Sequence, residues 1–151
     1  MTDPDPAVAA ASAALAATAA PTDADTAEAM AQLADVAGHA STVLFDYRRN
    51  NPGAPDLEQA LNLEMTLDQR AIDLRVRAVR LLGSQAADAI VQMKDATRKV
   101  DDFLATVRKI EGRLVIANAV VGLAGAALVG DAGGILAAVV SVHTAIKSAE
   151  A

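Results

Sequence analysis

The chain has 151 residues, 53% hydrophobic and 2% aromatic, with no cysteine and a formal net charge of −6. An acidic chain with one tyrosine and two phenylalanines lacks the basic footprint and stacking platforms that nucleic-acid binding needs. The missing thiols exclude disulfides, thiolate zinc sites and cysteine nucleophiles. Alanine supplies 37 residues; it is the best helix former and a weak strand former, so composition predicts an all-α protein whose core relies on close backbone approach.

Residues 1–21 read as an Ala-rich arm in which only Val8 and Leu15 are sizeable apolar side chains. Asp3 and Asp5 precede the apolar run where a secretory signal would carry Lys or Arg. The segment therefore reads as a soluble arm, with the cytoplasm as the default location. Pro21 ends it, and Thr22 or Asp23 can cap the next helix, with Asp25 and Glu28 in its first turn. From there Met30, Leu33, Ala37, Ala40, Leu44 and Tyr47 follow one another at steps of three and four, widened by Val36 and Val43. That is one helical stripe. Arg48 and Arg49 close it favourably for the helix dipole, and the run Asn50-Asn51-Pro52-Gly53-Ala54-Pro55 reverses the chain.

Asp56 with Gln59 three residues on reads as a capping box. It opens a stripe of Ala60, Leu63, Leu67, Ala71, Leu74, Ala78, Leu82, Ala86, Ile90, Met93, Thr97, Val100, Leu104, Val107 and Ile110. Gly83-Ser84 is its only flaw, read either as a kink or, with a C-terminal Gly followed by an N-cap Ser, as a sharp turn. A lone glycine costs only ~1 kcal/mol in a helix, so the pattern predicts one long bent helix of about 80 Å at 1.5 Å per residue, closed by Glu111-Gly112-Arg113. Residues 22–112 then form an elongated antiparallel bundle around that long central helix.

Residues 113–151 read as an Ala/Gly-rich helical hairpin. Leu114 to Gly130 carries no charge, Asp131-Ala132-Gly133-Gly134 reads as the turn, and Ile135 to Ile146 is a second uncharged leg. Small residues recur every fourth position: Asn118, Gly122, Ala126 and Gly130, with Gly125 beside them, then Gly133, Ala137, Ser141 and Ala145. Residues four apart share a helix face. These positions therefore form the candidate interface, with Gly122 and Ala126 expected in close contact with Ala137 and Ser141, in the small-xxx-small manner.

Arg108, Lys109 and Arg113 flank the hairpin entry, Lys147 its exit, and Asp131 its tip. That asymmetry suits a membrane hairpin with both ends on the cytoplasmic side. In layout, residues 22–149 resemble α-helical pore-forming toxins, which carry a concealed apolar hairpin among long amphipathic helices. That resemblance rests on organisation and on no shared motif, and it implies conditional membrane insertion, with residues 114–151 removable from a folded remainder.

The catalytic inventory is short. Asp35 and His39 share a face as half a metal site, without the Glu-x-x-His pair of di-iron bundles. His143 reads as a hydrogen-bonded core histidine, and Asp101-Asp102, as sequence neighbours, diverge from the helix axis. Gly130-Asp131-Ala132-Gly133-Gly134 lacks the Lys-Ser/Thr of a phosphate loop. Arg70, Arg75, Arg77 and Arg80 spread around one helix with Asp68 and Asp73 as partners. The reading is a non-catalytic scaffold with no cofactor or metal and no nucleic-acid partner. It self-associates or binds a helical protein through the hairpin, with membrane insertion as the alternative.

Overall fold

A computed structural model describes residues 22–77, 81, 83 and 85–150; the arm expected at 1–21 lies outside them. Five helices account for most of these residues: α1 (Asp23–Asn50), α2 (Leu57–Val76), α3 (Ala86–Leu104), α4 (Ile110–Val129) and α5 (Ala132–Glu150). No strand occurs among the described residues. The all-α bundle expected from composition and periodicity is what forms.

Thr22 caps α1 through a capping box. Its hydroxyl accepts from the Asp25 N–H at 3.1 Å, and the Asp25 carboxylate accepts from the Thr22 N–H and hydroxyl. These bonds to the anionic form hold the Asp25 carboxyl below its ordinary value. Along α1, Met30, Leu33, Val36, Ala37, Ala40 and Leu44 are all buried, as their spacing predicts. The reversal follows as a turn over Asn51–Ala54, with the Ala54 N–H on the Asn51 carbonyl and Gly53 at φ +93°. Proline and then glycine at the two central positions is the type II arrangement.

Asp56 precedes α2 but makes no side-chain cap. Its carboxylate instead accepts from the Tyr47 hydroxyl at 2.7 Å, tying the end of α1 to the start of α2. The expected capping box is absent: Asp56 has φ −99° and ψ 14°, outside the extended region from which an N-cap side chain reaches back to its helix.

The single long central helix is also corrected: it is two helices. Arg77 is extended (φ −91°, ψ 124°), and Gly83 has φ +109°, which no α-helix accommodates. Ala78, Leu82 and Ser84, which the sequence places at this junction, lie outside the described residues. The packing supplies the reason. Both α2 and α3 lie against α1 but do not touch each other. A rod of about 80 Å cannot lay both halves along a 28-residue helix only ~42 Å long.

Side-chain contacts between the helices report their directions. Arg75 meets Asp35 at 2.9 Å and Arg48 meets Glu64, so α1 and α2 run antiparallel. Lys94 meets Glu28 at 3.3 Å and His39 meets Asp101 at 2.8 Å, so α1 and α3 run parallel. The result is two layers, α2–α1–α3 and α4–α5, in which α4 packs on α1 and α2, and α5 packs on α3 and α4.

Glu111-Gly112-Arg113 does not close the third helix, as the sequence suggested. The chain turns at residues 105–109, and Glu111 already belongs to the first turn of α4. No Gly or Pro marks that turn; the Arg113 guanidinium secures it by donating to the Val107 carbonyl at 3.3 and 3.4 Å. Leu33, Leu44, Leu67, Met93, Ile116, Leu123, Ile135 and Val142 are fully buried and come from all five helices. The hairpin is therefore part of the one core. Residues 114–151 supply the layer on which α1, α2 and α3 pack.

Candidate functional site

The tip of the hairpin is tighter than its sequence suggests. Gly130 ends α4 in the left-handed conformation (φ +79°), its N–H bonded to the Ala126 carbonyl, and α5 starts at Ala132. A left-handed residue at this position is the usual role of a terminal glycine. The Asp131 carboxylate accepts from the Gly134 N–H at 3.1 Å, which caps α5. Ala132-Gly133-Gly134, expected in the turn, thus forms its first residues.

More than half of the small-residue positions face outward. Gly122, Asn118, Gly133, Ala137 and Ser141 are exposed; Gly125 and Ala126 are half-buried; Gly130 and Ala145 are buried. A Cβ added at Gly122 would find nothing within 4 Å. Of the close contact expected of Gly122 and Ala126 with Ala137 and Ser141, the part at Gly122 is not made within the chain. Instead α4 buries Ile116, Val120, Leu123 and Ala127, and α5 buries Ile135, Val139 and Val142. The inward line thus mixes Ile116, Val120 and Leu123 with the small Ala117, Ala124 and Ala127, while Gly122 faces outward together with Val115, Val129 and Val140. The glycine that does permit close approach is Gly112, where a Cβ would lie 3.0 Å from Val107 Cγ2 and 3.4 Å from Ala149 Cβ.

The outward turn produces the most distinctive surface of the molecule. Val115, Gly122 and Val129 lie along the outer line of α4, and Gly133, Ala137, Val140 and Ser141 along that of α5. Val129 is 80% exposed, Val140 64% and Val115 39%. No charged residue occurs from Leu114 to Val129 or from Ala132 to Ile146. Its polar side chains are bonded back to their own helices: Asn118 Nδ2 donates to the Leu114 carbonyl and Ser141 Oγ to that of Ala137. The sequence singled out the small residues here but missed the valines, whose seven-residue step from 115 through 122 to 129 was a readable signal.

The rest of the surface is different in kind. Leu61, Met65, Ile72 and Val76 form an exposed line on α2, but Asp68 and Arg75 interrupt it, and at its border Arg48 lies 5.7 Å from the Phe45 ring centroid. A cleft of about 590 Å³ between α1 and α3 is lined by Gln32, Asp35, Lys94, Asp95, Arg98 and Asp101. Asp95 is paired with Arg98 and Lys99, Lys94 with Glu28 and Asp35 with Arg75, while Asp101 shares a hydrogen bond with His39. The bond from Lys99 is the main reason that the Asp95 carboxyl titrates below its ordinary range.

Asp35 and His39, paired in the sequence reading, thus bond to Arg75 and Asp101 instead. Among the described residues no three His, Asp or Glu side chains converge as a metal site. His143 is not a core residue but half-buried, in a cleft of about 670 Å³ beside Lys99, Asp102 and Lys147. The pair of Glu64, buried, with Arg48 was not legible in the sequence at all. Nor was Arg70, whose Nε is buried without a partner where its guanidinium passes Gly125.

Comparison with known protein families, with curated proteins and with solved structures finds no match to this chain.

Proposed function

We propose that this chain is a non-catalytic helical scaffold that docks through the outer face of its α4–α5 hairpin. One observation carries the reading: Val129 and Val140 stand in solvent on a two-helix surface that bears no charge. Soluble monomers rarely leave contiguous apolar patches above a few hundred Å² uncovered. The small side chains at Gly122, Ala137 and Ser141 let another helix approach closely.

A lipid bilayer is the second reading. It is favoured by the lengths of the two legs, 20 and 19 residues, each close to the ~20 needed to span a hydrocarbon core. Insertion must, however, draw Ile116, Val120 and Leu123 out of contact with the bundle core. Docking in place needs no such rearrangement, so a protein partner is the better reading.

Val129→Glu with Val140→Glu tests the proposal. Both positions are exposed, so folding stability should change little, by about 0.5 kcal/mol per site or less. Sedimentation and vesicle flotation should show the wild type associating with itself or with vesicles and the double variant doing neither. If wild type and variant are equally monomeric and equally indifferent to vesicles, the face is not a docking surface.

A further inference from the structure

We infer that the occupant of this face is a second copy of the same chain, docked antiparallel about a two-fold axis that passes beside Gly122; the inference rests on the docking reading above. The outer line of α4 is self-complementary. Val115 and Val129 lie seven residues before and after Gly122, and Asn118 and Ala126 four before and after. Two α4 helices crossing antiparallel at Gly122 place each Val115 against the partner subunit's Val129, as a two-fold interface requires. At the axis, where backbones come closest, stands the glycine around which a Cβ would meet nothing of its own chain within 4 Å.

Charge selects the direction. The tip of the hairpin carries Asp131 alone, whereas its open end carries Arg108, Lys109, Arg113 and Lys147 against Glu111 and Glu150, a net of +2; at the α2 edge, Arg70 near Gly125 and Glu58 near Asn118 reduce this difference without reversing it. Antiparallel docking sets each acidic tip over a net-basic open end. Parallel docking would set Asp131 against Asp131 and bases against bases. Like charges facing one another across an interface disfavour that arrangement.

The area is sufficient for a weak dimer. Two legs about 30 Å long and about 10 Å wide each offer roughly 600 Å² per copy, or about 1,200 Å² in all, the low end of specific interfaces. Association should therefore be reversible and concentration-dependent.

The absence of cysteine allows a direct test. Val115→Cys and Val129→Cys chains are oxidised separately and as a mixture, since a disulfide needs Cβ atoms about 3.5–4.5 Å apart. The mixture should yield the 115–129 cross-link well above any 115–115 or 129–129 product. In parallel, Gly122→Leu should weaken the dimer about tenfold or more while thermal unfolding stays close to wild type.

A dimer in sedimentation that cross-links 115 to 115, or that Gly122→Leu leaves intact, overturns the antiparallel inference and spares the docking reading. A monomer that floats with vesicles overturns the second-copy inference in favour of lipid. A monomer that does neither overturns the inference and the docking reading together.

Discussion

Helices α1 and α4 both sit in the middle of the bundle and differ in how much of their packing is written locally. In α1, charged and polar residues fill every direction but one, so the apolar stripe has only one way to face, and Met30, Leu33, Ala37, Ala40 and Leu44 all turn inward. Helix α4 is apolar nearly all round, and periodicity cannot choose a face for such a helix. Its inward line mixes Ile116, Val120 and Leu123 with Ala117, Ala124 and Ala127, and its outward one holds Gly122 with Val115 and Val129. A small-residue stripe therefore does not by itself mark the face that packs within the chain.

The largest test of this contrast is a pair of core truncations. Leu44→Ala in α1 and Leu123→Ala in α4 remove side chains that are both fully buried. Each should cost about 2–5 kcal/mol in chemical denaturation. Equal costs would show that α4 is as much core as α1; a cost near zero for Leu123→Ala would make the hairpin a peripheral attachment.

The glycines of α4 sharpen the comparison within one helix. Gly112→Leu must push Val107 and Ala149 aside and should cost about 1–3 kcal/mol by overpacking. Gly122→Leu enters open space and should leave the melting temperature near that of wild type. A reversed ranking would mean that the small-residue stripe is buried within the chain after all.

Gly83 comes next. At φ +109° with free space around it, Gly83→Ala should destabilise by about 1–2 kcal/mol through backbone strain alone. Stabilisation would restore the continuous α2–α3 helix.

The smallest effect concerns the start of α1. The Asp25 carboxyl titrates below its ordinary 3.8, chiefly because it accepts bonds from Thr22. A lowered folded-state pKa contributes stability that is fully present above 3.8 and is lost as pH falls through the folded value. Amide resonances of Thr22 and Asp25 should therefore shift on acidification with a midpoint below 3.8, and Thr22→Ala should move that midpoint upward. A midpoint at or above the ordinary value would exclude the capping box.

What the sequence determined by itself is what depends on neighbours within a few residues. Helix content follows from alanine, the Pro52-Gly53 reversal from two residues with restricted or permissive φ, the α1 cap from Thr22 and Asp25, and the core stripe from spacing. Leu67, Ala71 and Leu74, then Ile90, Met93, Thr97 and Val100, are buried on either side of the break that the sequence marked only by Gly83-Ser84. A buried stripe survives the break because three-and-four spacing constrains each helix separately.

Tertiary structure decided whatever depended on distant partners. Gly83 is tolerable in a helix and necessary at positive φ, and only the need to lay α2 and α3 on opposite sides of α1 chose between them. Asp56 does not cap α2, and its carboxylate accepts from Tyr47 of α1 at 2.7 Å. The outward face of the hairpin was set by which of its faces α1, α2 and α3 cover. Local rules encode each helix, but which of several equally apolar faces meets solvent is a property of the whole packing, because burial is a competition for one shared core.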